Sequence, residues 1–132
     1  DPSRLIDSAS GWMDLNCGDI NDHHQYPGPE APKPDGVRAS VIGECGGLSG
    51  DRVAEQYADI MKKVWPLIDS QGLCAVTFTA LSDVEDEKGG PLLTYDRKPD
   101  VDPKIIADAN KRPADVTARD STSVAVPPNG NK

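Results

Sequence analysis

The chain has 132 residues with 22 acidic and 14 basic side chains, which gives a net charge of −8. This length suffices for one modest domain, and the negative charge argues against a nucleic-acid partner or an anionic membrane surface. No apolar run approaches the roughly 20 residues of a membrane span, and no signal peptide is recognised. The first residue is Asp, so we expect the true N terminus to lie upstream, and the compartment stays undetermined.

Three strands are expected in the first third of the chain. Residues 4–7 and 18–26 have the composition of short strands, the second with polar ends. Four prolines within residues 27–35 exclude a helix there and favour an extended loop. A third strand is expected over residues 38–44, an apolar run that stops at Glu44 and is followed at once by glycines.

A helix and a fourth strand should follow. Residues 52–68 carry apolar side chains at helical spacing, with Asp51 as a cap for the first amides. Pro66 should bend or weaken the last turn, and Gly72 is expected to end the helix. Residues 73–79 read as a strand, and a strand–helix–strand unit of this length predicts two parallel strands.

The rest of the chain is more polar. An acidic loop is expected over residues 83–90, and a short helix over residues 103–109 with Asp102 as its cap. Residues 113–132 have no apolar periodicity, which predicts a disordered tail. The three cysteines have no CxxC spacing and do not indicate a disulfide framework; Cys45 and Cys74 are expected to be small buried side chains.

Several motifs in order resemble the catalytic domain of glycoside hydrolase family 2, the β-galactosidase and β-glucuronidase-like enzymes. The resemblance covers roughly residues 1–110. The motifs are Ala9-Ser10-Gly11-Trp12, Gly18 to Pro29 with His24-Gln25-Tyr26-Pro27, Val41-Ile42-Gly43-Glu44-Cys45-Gly46-Gly47, Tyr57 to Met61, Leu73 to Glu85, and Leu92 to Arg97.

This resemblance implies an α/β fold, with residues 1–112 forming the C-terminal part, about four strands, of a (β/α)8 TIM barrel. A complete barrel has eight parallel strands in about 250 residues, so the first four strands would be absent. The open strand edges near Leu5 and Val76 would then invite association with other chains or with the missing barrel half.

The resemblance also implies the site. Glu44 matches the family's catalytic nucleophile, and Tyr26 matches the tyrosine that donates a hydrogen bond to it. His24 matches a histidine that lines the sugar subsite, and Asp83 lies in a loop that contacts substrate at the rim. The family's acid/base residue usually occurs as Asn-Glu, a dipeptide that this chain lacks. No cofactor is required.

These matches predict a fragment or truncated form of a retaining β-glycosidase, a hydrolase of carbohydrate metabolism that is inactive alone because its acid/base strand is missing. One alternative is a non-catalytic remnant that binds carbohydrate. A more distant one is an unrelated α/β ligand-binding domain. The motifs do not determine the sugar.

Other chemistries are open on the residues alone. Asp22 and His24 share one face of their strand, with His23 on the other, and a metal site there would need further ligands. A Cys45–His24 hydrolase pair is conceivable. The glycines after residue 42 could suggest a phosphate loop, but Glu44 lies among the amides that should bind the anion, and no Lys-Ser or Lys-Thr follows.

Overall fold

A computed structural model describes residues 1–8, 11–47, 52–86 and 92–113. Within these ranges the elements are β1 (Ile20–Gln25), β2 (Ala39–Gly46), α1 (Val53–Gln71), β3 (Leu73–Thr79) and α2 (Pro103–Ala109). The three strands form one parallel sheet in the order β1-β2-β3. No helix in the described ranges is long and apolar enough to cross a membrane.

The sheet is open, and the prediction of four strands from a (β/α)8 barrel is wrong. A barrel closes only when its strands form a complete ring, whereas the described residues contribute three strands and leave β1 and β3 as edges. Residues 4–7 form no strand: Leu5 and Ile6 are 76% and 55% exposed, and the Ile6 carbonyl instead accepts from the Asp19 amide at 2.8 Å. Too few apolar side chains are buried there to support a fourth strand.

Helix α1 follows the prediction in position and extends one turn further. It continues through Pro66 to Gln71 and ends at Gly72, whose φ of 64° is the left-handed conformation that glycine adopts without strain. The predicted weakening at Pro66 is not seen in the helix bounds. Arg52 takes the N-cap position without a side-chain cap, and the predicted cap Asp51 lies outside the described residues.

The core lies between α1 and one face of the sheet. Ile42 and Cys45 of β2 are completely buried, and β3 pairs with β2 through Val76 opposite Ile42. The apolar stripe of α1 covers them with Val53, Ala54, Tyr57, Ile60, Met61 and Val64. Burial of Cys45 confirms its prediction, but Cys74 is exposed because it lies on the edge strand β3.

Helix α2 has the predicted bounds and the predicted cap. The Asp102 carboxylate accepts a hydrogen bond from the Lys104 amide at 2.8 Å. The segment is fastened to α1 by the Tyr57 hydroxyl, which donates to Asn110 Oδ1 at 2.8 Å, and by the Trp65 indole. The predicted disordered tail falls almost entirely on residues 114–132, which lie outside the described residues.

Candidate functional site

An extra residue in β2 decides where Glu44 points. His23 pairs with Ile42, but the next residue, His24, pairs with Glu44, so Gly43 has no partner on β1. Residues two apart on a regular strand share a face, and this bulge breaks that rule. Ile42 therefore lies on the face covered by α1, called the helix face, while Glu44 and His24 lie on the opposite, polar face.

Asp22 holds the bulge in place. Its Oδ1 accepts a hydrogen bond from the unpaired Gly43 amide at 2.6 Å, and its side chain is only 3% exposed. A Cβ at position 43 would lie 2.3 Å from the Asp22 carboxylate oxygens. Only glycine leaves room for the carboxylate, so the bulge and the buried acid require each other.

Glu44 is hydrogen-bonded by a tyrosine side chain. The Tyr26 hydroxyl donates a hydrogen bond to Glu44 Oε2 at 2.7 Å, inside the usual range for such bonds. Desolvation raises the pKa of Tyr26, the Thr79 hydroxyl opposes the rise, and the hydrogen bond and charge of Glu44 add to it. Tyr26 is therefore a neutral donor at ordinary pH, while Glu44, with 42% of its side chain exposed, faces solvent.

His24 lies between two carboxylates on the polar face. Its Nδ1 is 3.4 Å from Glu44 Oε2, and its Nε2 is 3.5 Å from Asp22 Oδ2. The backbone of Gly11 covers the ring so closely that a Cβ there would lie about 2.1 Å from it, and the Gly11 carbonyl accepts from the His24 amide at 2.9 Å. Asp22, His24 and Glu44 thus follow one another in a row.

Trp12 adds an aromatic wall to this row. Its ring stacks on Tyr26 with centroids 6.2 Å apart and an interplanar angle of 23°, and it meets His24 edge-on at 5.6 Å. Trp12 is 74% exposed, so a ligand can reach its ring. Stacked and edge-on aromatic contacts of this kind each contribute roughly 0.5–1.5 kcal/mol.

Asp83 lies in a different environment. Its Oδ2 accepts a hydrogen bond from the Tyr95 amide at 3.1 Å, and its carbonyl accepts from the Arg97 guanidinium at 3.2 Å. Both contacts hold the loop that follows β3 in shape. In the part of the chain that the structure describes, the recorded contacts of Glu44 are with Tyr26 and His24 rather than with Asp83.

The geometry also bears on the other chemistries. Cys45 lies on the helix face, where burial raises the pKa of its thiol, while His24 lies on the polar face, so the two do not form a hydrolase pair. Asp22 uses its carboxylate on the Gly43 amide. Residues 1–8, 11–47, 52–86 and 92–113 contain no group of three or more His, Cys, Asp or Glu that could hold a metal ion.

A scan against protein-family models and a search of curated proteins both give no match for this chain. The assignment of roles therefore depends on the motifs and on the contacts described above. Sequence reasoning named Glu44, Tyr26 and His24, which the structure brings together. It missed the part played by Asp22, although the spacing of Asp22, His24 and Tyr26 at every second residue is the signal that places all three on one face.

Proposed function

We propose that the polar face carries the nucleophile half of a retaining β-glycosidase site, with Glu44 as the nucleophile. The observation that supports this most is the 2.7 Å hydrogen bond from Tyr26 to Glu44 on a carboxylate that is still exposed. The resemblance of the motifs around these residues to family 2 glycoside hydrolases supplies the class of reaction.

The chemistry follows from this arrangement. In retaining hydrolysis a carboxylate attacks the anomeric carbon and forms a covalent glycosyl-enzyme, which water then hydrolyses. Tyr26 engages Oε2 and so fixes the direction in which Glu44 presents its other oxygen. The same hydrogen bond limits the rotation of the carboxylate, so that one oxygen stays directed at the substrate.

The second carboxyl group is the part that this chain is proposed to lack. Retaining enzymes place it about 5–5.5 Å from the nucleophile. Among the described residues, the Asp22 carboxyl and the Asp7 carboxyl that hydrogen-bonds it come near this cluster. The His24 imidazole separates Asp22 from Glu44, and Asp22 Oδ1 is occupied by the Gly43 amide. The general acid would then come from another segment or chain, and the isolated chain would cleave only glycosides with a good leaving group.

A second candidate function is carbohydrate binding without catalysis. The observation that favours it is the exposed indole of Trp12, stacked on Tyr26, because sugar rings pack their apolar faces on such surfaces. Trp12 also borders an open groove of about 430 Å³ that reaches Asn16 and Asn21, a size within the range of small-molecule sites. Binding would use Trp12 and leave Glu44 chemically unaltered.

Covalent trapping separates the two functions. The chain is incubated with 2-deoxy-2-fluoro-β-glycosides of glucose and galactose that carry a dinitrophenolate leaving group, and the label is located by peptide mass mapping. We expect the label on Glu44 and none in Glu44→Gln. Tyr26→Phe should slow labelling about tenfold or more, since Glu44 would no longer be held in one orientation for attack.

Tyr95→Phe is the matched control, because Tyr95 is 63% exposed and lies in the loop after β3; it should label at the wild-type rate. Label on Asp83 or Glu85 would contradict the assignment of Glu44. Saturable sugar binding that is lost in Trp12→Ala, with no label on any residue, would replace the catalytic proposal with the binding one.

A further inference from the structure

We infer that Asp22 is a positioning residue for Glu44: by binding the Gly43 amide it maintains the bulge that turns Glu44 away from the core and toward Tyr26. The catalytic meaning of this inference rests on the proposed function, but the geometry and its test do not require turnover.

The first step is the bulge itself. With the regular alternation of a strand, Glu44 would share a face with Ile42, which is completely buried in the core. A carboxylate there would lose its hydration, at a large cost in free energy. The unpaired Gly43 avoids this outcome by moving Glu44 to the polar face.

The second step is what holds the extra residue. A bulge leaves a backbone amide without its ladder partner, and a buried amide needs an acceptor. Asp22 supplies its Oδ1 as that acceptor at 2.6 Å. An apolar side chain at position 22 would fill the same space but would leave the Gly43 amide unsatisfied.

The third step is the link to the rest of the site. The other Asp22 oxygen, Oδ2, lies 3.5 Å from His24 Nε2, whose opposite nitrogen lies 3.4 Å from Glu44. Asp22 therefore acts on Glu44 by two routes, through the backbone at Gly43 and through the imidazole. The side chain of Asp22 is only 3% exposed, so it touches no substrate, and its influence is confined to position and orientation.

The test reads the position of Glu44 through Tyr26. The ionisation of Tyr26 is followed by NMR in protein labelled with carbon-13 tyrosine, with Tyr26→Phe to identify its signal. Because Glu44 contributes to the raised pKa of Tyr26, Asp22→Ala should lower that pKa toward its ordinary value. Gly43→Ala, which forces a Cβ against the carboxylate, should do the same with Asp22 still present.

Two variants separate this role from a general contribution to folding. Asp22→Asn keeps an oxygen that can accept from Gly43, so it should restore most of the Tyr26 shift that Asp22→Ala removes. Asp19→Asn is the matched control: Asp19 also binds a backbone amide, that of Ile6 at 2.9 Å, but outside the Glu44 cluster. It should leave the pKa of Tyr26 unchanged.

A folded Asp22→Ala protein with an unchanged Tyr26 pKa would overturn the inference. If Asp22→Ala and Gly43→Ala fail to fold, the Gly43 amide is measured by NMR in the wild-type protein instead. Slow hydrogen exchange and a downfield proton shift of this amide would support its bond to Asp22, and fast exchange would contradict it. Failure of the glycosidase proposal appears separately, as missing label in a wild-type protein whose Tyr26 still responds to Asp22→Ala.

Discussion

The two faces of the sheet both bury side chains, but the buried side chains are apolar on one face and polar on the other. On the helix face, Ile42 and Cys45 are completely buried against apolar side chains of α1. On the polar face, Asp22 and His24 are almost as well buried, at 8% exposure each, yet both are polar. Strand β2 contributes side chains to both faces, and the extra residue Gly43 places Glu44 on the polar face rather than on the helix face.

This difference indicates which face stabilises the fold and which face determines the geometry of the candidate site. Burial of apolar area stabilises the fold by roughly 25 cal/mol per Å², whereas burial of a carboxylate or an imidazole costs free energy unless hydrogen bonds offset it. The helix face should therefore dominate the free energy of unfolding. The polar face should contribute less to it and more to the orientation of Glu44. The following four predictions test that separation.

The largest loss of stability should come from the helix face. Ile42→Ala removes a completely buried side chain and should lower the free energy of unfolding by about 2–5 kcal/mol, as measured by urea denaturation. Val37→Ala is the control, because Val37 is 89% exposed and should change it by less than about 0.5 kcal/mol. Equal effects of the two substitutions would show that the face covered by α1 is not the core.

A pair of glycines tests the polar face next. Gly11 and Gly36 have similar positive φ angles, 83° and 76°, but a Cβ at Gly11 would meet the His24 ring, whereas nothing lies within 4 Å of one at Gly36. Gly36→Ala reports the backbone strain alone, about 1 kcal/mol or more. Gly11→Ala should cost about 1–3 kcal/mol beyond that because its Cβ overpacks against His24. Calorimetry of both variants measures the two losses of stability, and equal losses would contradict the close contact at Gly11.

Two tyrosines allow the same change on each face. Tyr57→Phe removes a half-buried hydrogen bond between α1 and Asn110 and should cost about 0.5–1.5 kcal/mol. Tyr26→Phe removes the bond to Glu44 at a more exposed position, so its cost should be below about 0.5 kcal/mol, while labelling of Glu44 slows. The separation fails if Tyr26→Phe is the more destabilising of the two.

The smallest effect should come from two carboxylates whose stabilising contribution is lost in acid. Hydrogen bonds from Arg38 lower the pKa of Asp14 to about 2, and backbone amides together with Arg38 lower that of Asp35 to about 2, from 3.8. Folded pKa values below the unfolded ones mean that this stabilisation is present above about pH 4 and is lost as the pH falls through about 2. Arg38 thereby links Asp14, in the loop that carries Trp12 before β1, to Asp35, just before β2, through ion pairs.

The measurement is the melting temperature between pH 6 and 2. Arg38→Gln should lower it at pH 6 and flatten its decline in acid, since one source of the depressed pKa values is gone. Arg4→Gln removes a largely exposed pair with Asp1 and should follow the wild-type curve, as exposed pairs contribute little. A wild-type profile in Arg38→Gln would mean that the loop is held by other contacts.

Local signals predicted most of the elements. The bounds of β3 and α2, the Asp102 cap and the end of α1 at Gly72 follow from alternation, capping chemistry and the left-handed preference of glycine. The strand expected over residues 4–7 does not form, because a short apolar run becomes a strand only where a neighbour can pair with it. The barrel prediction is wrong for the same reason: sheet closure depends on partners that no local pattern supplies.

Local residue types and spacing predicted the three strands and two helices of the described residues, together with a strand over residues 4–7 that does not form, whereas the resemblance of the motifs grouped Glu44, Tyr26 and His24 in one candidate site. Only the tertiary structure decided that the sheet stays open, that Gly43 is the extra residue, and that Asp22 reaches across from β1 to bind it. These features depend on the register between strands. A shift of one residue reverses every face, and register is fixed by packing between segments far apart in the chain.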